Sequence, residues 1–155
     1  MALDLSDKTG NGNTLTNVNR TEETSSLPFA GSTIAVDLES GSSAYLYAAD
    51  SVSLSITQSF TLEAWVNFES TPSSGNSMVI AAKYRDDTNN RSWVLWLQNI
   101  AGNLNLVCYY SDDGTAQDAG AVTWTPSTGT WYHVALVYNH TTPKLQFSNG
   151  ISCAR

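Results

Sequence analysis

The sequence predicts an all-β fold in which two antiparallel sheets pack face to face as a sandwich. The first observation is a hydrophobic period of two: residues 60–68 alternate between apolar side chains and Thr61, Glu63, Trp65 and Asn67, as in a half-buried strand. The second is that turn-rich segments separate such runs at intervals of about 8–12 residues. The third is size, because 155 residues with 41% hydrophobic side chains suit one domain with one core.

The individual strands follow from the same pattern. In chain order, we predict strands at residues 34–38, 44–47, 60–68, 78–83, 92–98, 104–110, 122–124, 131–138 and 144–147. The strand at 131–138 is apolar on both faces, which predicts a central position with both faces covered. Residues 99–103 have the composition of a short hairpin loop. Residues 6–32 are expected to be an irregular entry to the first sheet, and the only helical signal, at 48–51, predicts a turn at most.

The charge and composition exclude several classes of function. Seven basic and 14 acidic residues give a net charge of -7, with no basic cluster for nucleic acid or an anionic membrane. No apolar run approaches the roughly 20 residues of a membrane-spanning helix, and the first residues do not form a signal peptide. Only 14% of residues are charged, while hydroxyl and amide side chains are common, which favours an extracellular or cell-surface location.

The two cysteines do not predict a metal site. Cys108 lies in the apolar run 106–109, which favours a buried free thiol. A disulfide with Cys153 is the alternative. The spacing of the two cysteines and two histidines does not match a zinc pattern.

Several motifs occur together in a fixed order along the chain. They are an Asp- and Gly-rich opening loop, a strand pair, the run Ser59-Phe60-Thr61-Leu62-Glu63-Ala64-Trp65-Val66, a Trp-x-His-Val strand and a hairpin that ends in Asn-Gly, at residues 5–13, 35–46, 59–66, 129–138 and 144–150. Together they resemble the laminin-G-like jelly rolls of the concanavalin A-like lectin and glucanase superfamily. The resemblance implies that residues 1–155 form a single jelly-roll domain. Members of the family continue past the Asn-Gly with further strands, so we expect a domain that lacks its last strands and belongs to a larger polypeptide.

A ligand site is predicted on the outward face of the strand at 60–68. Sugars bind to aromatic platforms beside amides and carboxylates, because a sugar ring has an apolar face and a hydroxyl rim. The candidate residues are Glu63, Trp65, Asn67, Trp96 and His133. The alternative is that Trp65, Trp96 and Trp131 are all part of the core, since tryptophan is highly buried on average.

A structural Ca²⁺ site is a second expectation, and the resemblance implies it near the chain ends. Asp4, Asp7, Asn11 and Asn13 supply oxygen atoms in a Gly-rich loop, as Ca²⁺ requires. Asp and Asn are also common in ordinary turns, which is the alternative.

Catalysis is not expected. The glucanases of this superfamily use a Glu-x-Asp-x-Glu-like strand, and the nearest run here, at residues 37–39, lacks the third carboxylate. The sequence therefore predicts a non-catalytic module of a secreted or surface protein that binds carbohydrate or a glycoconjugate. The alternative is a structural spacer or an adhesion domain whose partner is another surface protein.

Overall fold

The computed structural model describes residues 4–85, 90–115, 118–141 and 144–152, with the backbone alone for 144–152. The chain divides into two compact units, Met1–Leu54 and Ser55–Ala154. Within the described residues no α-helix occurs, and short 3-10 turns at Ser40–Ser42 and Val52–Leu54 are the only helical segments. The prediction of an all-β fold is therefore confirmed.

The first unit contains four short strands in two antiparallel pairs. They are β1 (Thr16–Val18), β2 (Thr21–Glu23), β3 (Ala35–Asp37) and β4 (Tyr45–Tyr47). β1 pairs with β4, and β2 pairs with β3. Strands β3 and β4 were predicted, whereas β1 and β2 lie in the segment expected to be irregular. Three residues of mostly polar sequence are too short to show a period of two, so these strands were missed.

The second unit is a sandwich of two antiparallel sheets. Its strands are β5 (Phe60–Asn67), β6 (Ser77–Arg85), β7 (Asn90–Ile100), β8 (Asn103–Tyr110), β9 (Asp118–Thr123), β10 (Trp131–Asn139) and β11 (Lys144–Ser152). One sheet has the order β11-β10-β5 and the other has the order β6-β7-β8-β9. β10 is central in its sheet, as predicted from its apolar character. The prediction that both of its faces are covered is wrong, because Val137 on the outer face is 40% exposed.

The core lies between the two sheets. Alternate residues of each strand face it, and five of them are 0% exposed: Leu97 in β7, Leu106 and Cys108 in β8, and Val134 and Leu136 in β10. Leu97 and Leu106 are direct partners across the β7–β8 ladder. Residues of both sheets thus meet in one apolar cluster, which confirms the two-sheet arrangement.

Aromatic rings extend this core toward one end of the sandwich. The rings of Tyr110 and Tyr138 lie 4.0 Å apart, and Phe60 contacts both, with centroid distances of 5.3 Å and 5.6 Å. Burial raises the pKa of Tyr110 to about 12. Stacked, desolvated rings of this kind supply much of the apolar area that a sandwich buries.

Cys108 is a free, buried thiol at the centre of β8, as predicted. Desolvation raises its pKa to about 12, so at neutral pH the thiol stays protonated. Cys153 lies outside the described residues.

Several strand boundaries differ from the prediction, two of them by four residues or more. β9 begins at Asp118, not at residue 122, and β11 extends to Ser152. Both extensions contain glycine or polar residues, which hide the alternation in the sequence. The turn signal at 48–51 lies just before the 3-10 turn Val52–Leu54.

Candidate functional site

The outer face of the three-stranded sheet brings together four of the five predicted ligand residues. Because Leu62 and Val66 pack on the core, alternation places Glu63, Trp65 and Asn67 on the opposite side of β5. His133 is the direct partner of Trp65 across the β5–β10 ladder. Their rings lie 5.3 Å apart at an angle of 55°. We call Glu63, Trp65, Asn67 and His133 the platform.

Glu63 and His133 form the ionisable part of the platform. His133 Nε2 lies 3.4 Å from Glu63 Oε2, and the two side chains are 24% and 66% exposed. This distance is longer than that of an ordinary hydrogen bond between charged groups. The well-exposed Glu63 carboxylate therefore remains able to accept hydrogen bonds from a ligand.

Asn67 and Trp65 form the half-buried part. Asn67 Oδ1 is buried and has no hydrogen-bond partner among the described residues, although buried polar atoms are normally paired. Trp65 is half-buried on the outer face and does not belong to the core between the sheets. The neighbouring Trp131, opposite Asn67 in the ladder, is also half-buried on this face.

Trp96, the fifth predicted residue, is not part of the platform. It lies in β7, in the four-stranded sheet, on the face turned away from the core, because its neighbours Leu95 and Leu97 face inward. It packs edge-on against Tyr109 at 5.2 Å and against Tyr84 at 6.3 Å. Alternation in the sequence indicated the face of the strand but could not indicate the sheet. Trp96 therefore lies on the opposite side of the sandwich from Trp65.

Beside Trp96, the outer face of the four-stranded sheet contains an open groove of about 220 Å³ that the sequence did not reveal. Its lining comes from β7, β8 and β9 and comprises Gln98, Ile100, Val107, Tyr109, Ala119, Gly120 and Ala121. The signal that could have found it is the run of small residues in β9, but its position beside Tyr109 depends on strand register.

The predicted calcium loop lies in the first unit, and Asp7 is its centre. Asp7 Oδ1 accepts hydrogen bonds from the backbone N–H and the hydroxyl of Thr9, at 2.7 Å and 2.6 Å. Its Oδ2 accepts one from the backbone N–H of Asn13 at 2.9 Å. These bonds, chiefly that from the Thr9 hydroxyl, lower the pKa of Asp7 to about 2.

The other predicted calcium ligands are also engaged by the chain. Asp4 accepts bonds from Lys8 and Ser6, and the Lys8 ammonium is the main reason that the pKa of Asp4 lies well below its ordinary value. Asn13 Oδ1 accepts a hydrogen bond from Ser51 Oγ at 2.6 Å. Asn11 donates its side-chain N–H to Thr9 Oγ1. All four residues therefore take part in local hydrogen bonds of the kind that Asp and Asn form in turns, and the calcium site stays a prediction.

Comparison with known proteins gives one match. A laminin G family model, described as the concanavalin A-like lectin/glucanases superfamily, matches residues 40–154. No curated protein and no solved structure matches the chain. The matched span includes both sheets of the second unit, and so the platform and Trp96, whereas the loop of Asp4 to Asn13 precedes it.

Proposed function

Because the chain belongs to the concanavalin A-like lectin/glucanase superfamily, we propose that it is a non-catalytic module that binds carbohydrate at the platform. The observation that carries this proposal is the pairing of Trp65 with His133, flanked by Glu63 and Asn67 on one sheet face. Fold alone does not determine function, so the proposal depends on this site.

The platform provides both kinds of contact that a sugar needs. The indole of Trp65 offers an apolar surface for the C–H face of a pyranose ring. The Glu63 carboxylate can accept hydrogen bonds from sugar hydroxyls, and such charge-assisted bonds are stronger than neutral ones. Both residues stand on β5, which is paired along its length with β10, so the site is preorganised by the ladder.

The carboxylate content of the platform favours binding over hydrolysis. Glycoside hydrolysis uses two carboxyl groups about 5–9 Å apart across the scissile bond. Glu63 is the one carboxylate in the sequences of β5, β10 and β11, and it lies beside His133. We therefore propose that a bound glycan is retained and not cleaved.

We further propose that the module acts outside the cell as part of a larger surface or secreted protein. Among the described residues, no helix has the length and apolar character needed to cross a membrane. The low proportion of charged residues, 14%, agrees with this location. Adhesion to a glycan or to a glycosylated surface protein would be its role there.

A glycan array tests the proposal, with Trp65→Ala as the deciding variant. We expect the wild-type chain to bind one glycan class, and Trp65→Ala to weaken that binding by about tenfold or more. Val137→Ala, which removes an exposed side chain from the distal end of the same face, is the matched control and should bind normally. Circular dichroism should show that all variants remain folded.

Two outcomes would contradict the proposal: the absence of any bound glycan, or binding that Trp65→Ala leaves unchanged. The first would favour the protein-binding or spacer role that the sequence also allowed. Running the array with Ca²⁺ and with a chelator tests the loop of Asp4, Asp7, Asn11 and Asn13 at the same time. Because its oxygens already accept bonds from the chain, we expect no difference between the two conditions.

A further inference from the structure

The outer face of the four-stranded sheet is ordered in rows across the strands. The ladder register aligns Ala82, Val94, Tyr109 and Ala119 in one row, Val79, Trp96, Val107 and Ala121 in the next, and Ser77, Gln98, Asn105 and Thr123 in a third. Two rows are apolar or aromatic and the third consists of hydroxyl and amide groups. The face therefore changes from apolar to polar along the direction of its strands.

The groove of about 220 Å³ crosses this boundary. Tyr109 and Ala119 stand at its aromatic end, and Gln98 and Ile100 stand at its other end. The small side chains of Ala119 and Ala121 on β9 leave the space beside the Tyr109 ring open. A ligand in this groove would meet an aromatic wall at one end and an amide at the other.

The aromatic wall is held in place by its neighbours. Trp96 packs against Tyr109 at 5.2 Å with the rings nearly perpendicular, at 76°, and Tyr84 lies 6.2 Å away on the same face. Edge-to-face contacts of this kind fix the orientation of a ring. Tyr109 is thus oriented before any ligand arrives, which reduces the entropic cost of binding.

The charge and size of the groove restrict its ligand. Its lining residues include no charged side chain, and the chain as a whole carries a net charge of -7, which repels anions. Its volume of about 220 Å³ is smaller than the roughly 300 Å³ at which pockets for drug-sized ligands begin. A single uncharged ring with one apolar face and a hydroxyl rim satisfies these restrictions.

We propose that this groove is a second binding site, which holds one ring of a neutral saccharide against Tyr109 and hydrogen-bonds it through Gln98. The inference rests on the proposed function for the chemical class of the ligand, but its site lies on the opposite sheet from the platform. The polar row continues beyond Gln98 through Asn105 and Thr123, whose side chains are hydrogen-bonded to each other at 3.2 Å. A longer glycan would extend over this row.

Isothermal titration calorimetry of the full chain tests the proposal. The neutral probes are gluco-, manno- and chito-oligosaccharides, and the anionic probes are heparin and polygalacturonate. Ala121→Leu fills the groove from an exposed position and should weaken neutral binding by about tenfold without loss of stability. Tyr109→Ala should weaken the same binding by a similar factor, with some loss of stability because the ring packs against Trp96 and Tyr84. The matched control is Thr61→Ala, an exposed change on the other sheet, and it should leave this binding unchanged.

The outcomes separate the two sites. Loss of one binding site in Ala121→Leu and of another in Trp65→Ala supports both proposals. If Trp65→Ala alone removes binding, the groove proposal is overturned and the proposed function stands. If neither variant affects binding, or no saccharide binds, both fail. The assignment of a neutral ligand would also be overturned if heparin bound more tightly than every neutral probe and Ala121→Leu weakened the binding of heparin.

Discussion

At the scale of single residues, two neighbouring tyrosines show how differently a hydroxyl can be accommodated in this core. Tyr110 is 1% exposed, and its hydroxyl has no hydrogen-bond partner among the described residues. Tyr138 is 3% exposed, and its hydroxyl is hydrogen-bonded to Asp118. Burial is the main reason that the pKa of each phenol is raised. The two tyrosines are therefore buried in the same cluster, but only the hydroxyl of Tyr138 has a hydrogen-bond partner among the described residues.

This difference predicts opposite effects for the same substitution. Tyr110→Phe removes an unpaired buried hydroxyl and should raise the free energy of unfolding by about 1 kcal/mol, whereas Tyr138→Phe removes a paired one and should lower it by about 1 kcal/mol. Urea denaturation followed by tryptophan fluorescence measures both. A loss of stability in Tyr110→Phe would mean that its hydroxyl has a partner.

Cys108 yields a prediction about reactivity. Its thiol is 0% exposed, and desolvation raises its pKa to about 12, so neither the thiolate nor access to it is available near neutral pH. In a Cys153→Ser background, a thiol reagent at pH 8 should label no cysteine in the folded protein and one in guanidinium chloride. Rapid labelling without denaturant would contradict the buried position.

At the scale of elements, the turn between β7 and β8 contains a strained backbone position that a substitution could relieve. Ala101 and Gly102 both have positive φ, of 50° and 92°, as in the two-residue hairpin turn that favours Asn-Gly. The side chain of Asn99 supports the turn by accepting a hydrogen bond from Gly102 N–H at 2.9 Å. Alanine at the first position costs energy there because its Cβ crowds the backbone.

Substitutions at these two positions should change the free energy of unfolding in opposite directions. Ala101→Asn should raise the free energy of unfolding by about 0.5–1 kcal/mol, since asparagine tolerates the left-handed region. Gly102→Ala should lower it by about 1 kcal/mol, although a Cβ at Gly102 would meet no atom within 4 Å. Thermal unfolding of both variants beside the wild type measures the effects. Destabilisation by Ala101→Asn would show that the turn differs from this geometry.

The same scale explains which parts of the structure were predictable. A long strand such as β5 buries one face, and burial imposes a period of two that the sequence displays. The shared face of Glu63, Trp65 and Asn67 followed from that period, whereas the face of His133 did not, because β10 is apolar on both sides. The sheet that contains Trp96 did not, because alternation carries no information about strand order. The groove beside Tyr109 was also hidden, since its lining comes from three strands whose register only the folded chain defines.

At the scale of the whole molecule, two buried ionisable groups, the thiol of Cys108 and the phenol of Tyr110, make the stability of the fold depend on pH in the alkaline range. Folding raises the pKa of Cys108 from 9.0 to about 12 and that of Tyr110 from 10.0 to about 12. The folded state therefore holds these protons more tightly than the unfolded state does. By linkage, their contribution to stability is complete below pH 9 and decreases as the pH rises toward 12.

We accordingly expect a melting temperature that is nearly constant from about pH 7 to 9 and falls between about pH 9 and 12. Calorimetry across this range measures it. Cys108→Ala and Tyr110→Phe should each make the decline shallower, whereas Val137→Ala, which removes an exposed side chain without an ionisable group, should not. If the melting temperature of both core variants fell with pH as steeply as that of the wild type, groups other than Cys108 and Tyr110 would cause the alkaline unfolding.

β6 has a consequence for the behaviour of the protein at high concentration. It lies at one end of the four-stranded sheet, and its pairing with β7 is interrupted between Val79 and Ala81 and again between Lys83 and Tyr84. Each interruption bends the strand and breaks the even spacing of its outward N–H and C=O groups. A strand from a second molecule would find no long regular row to pair with, so this end of the sheet is protected from fibril-like growth.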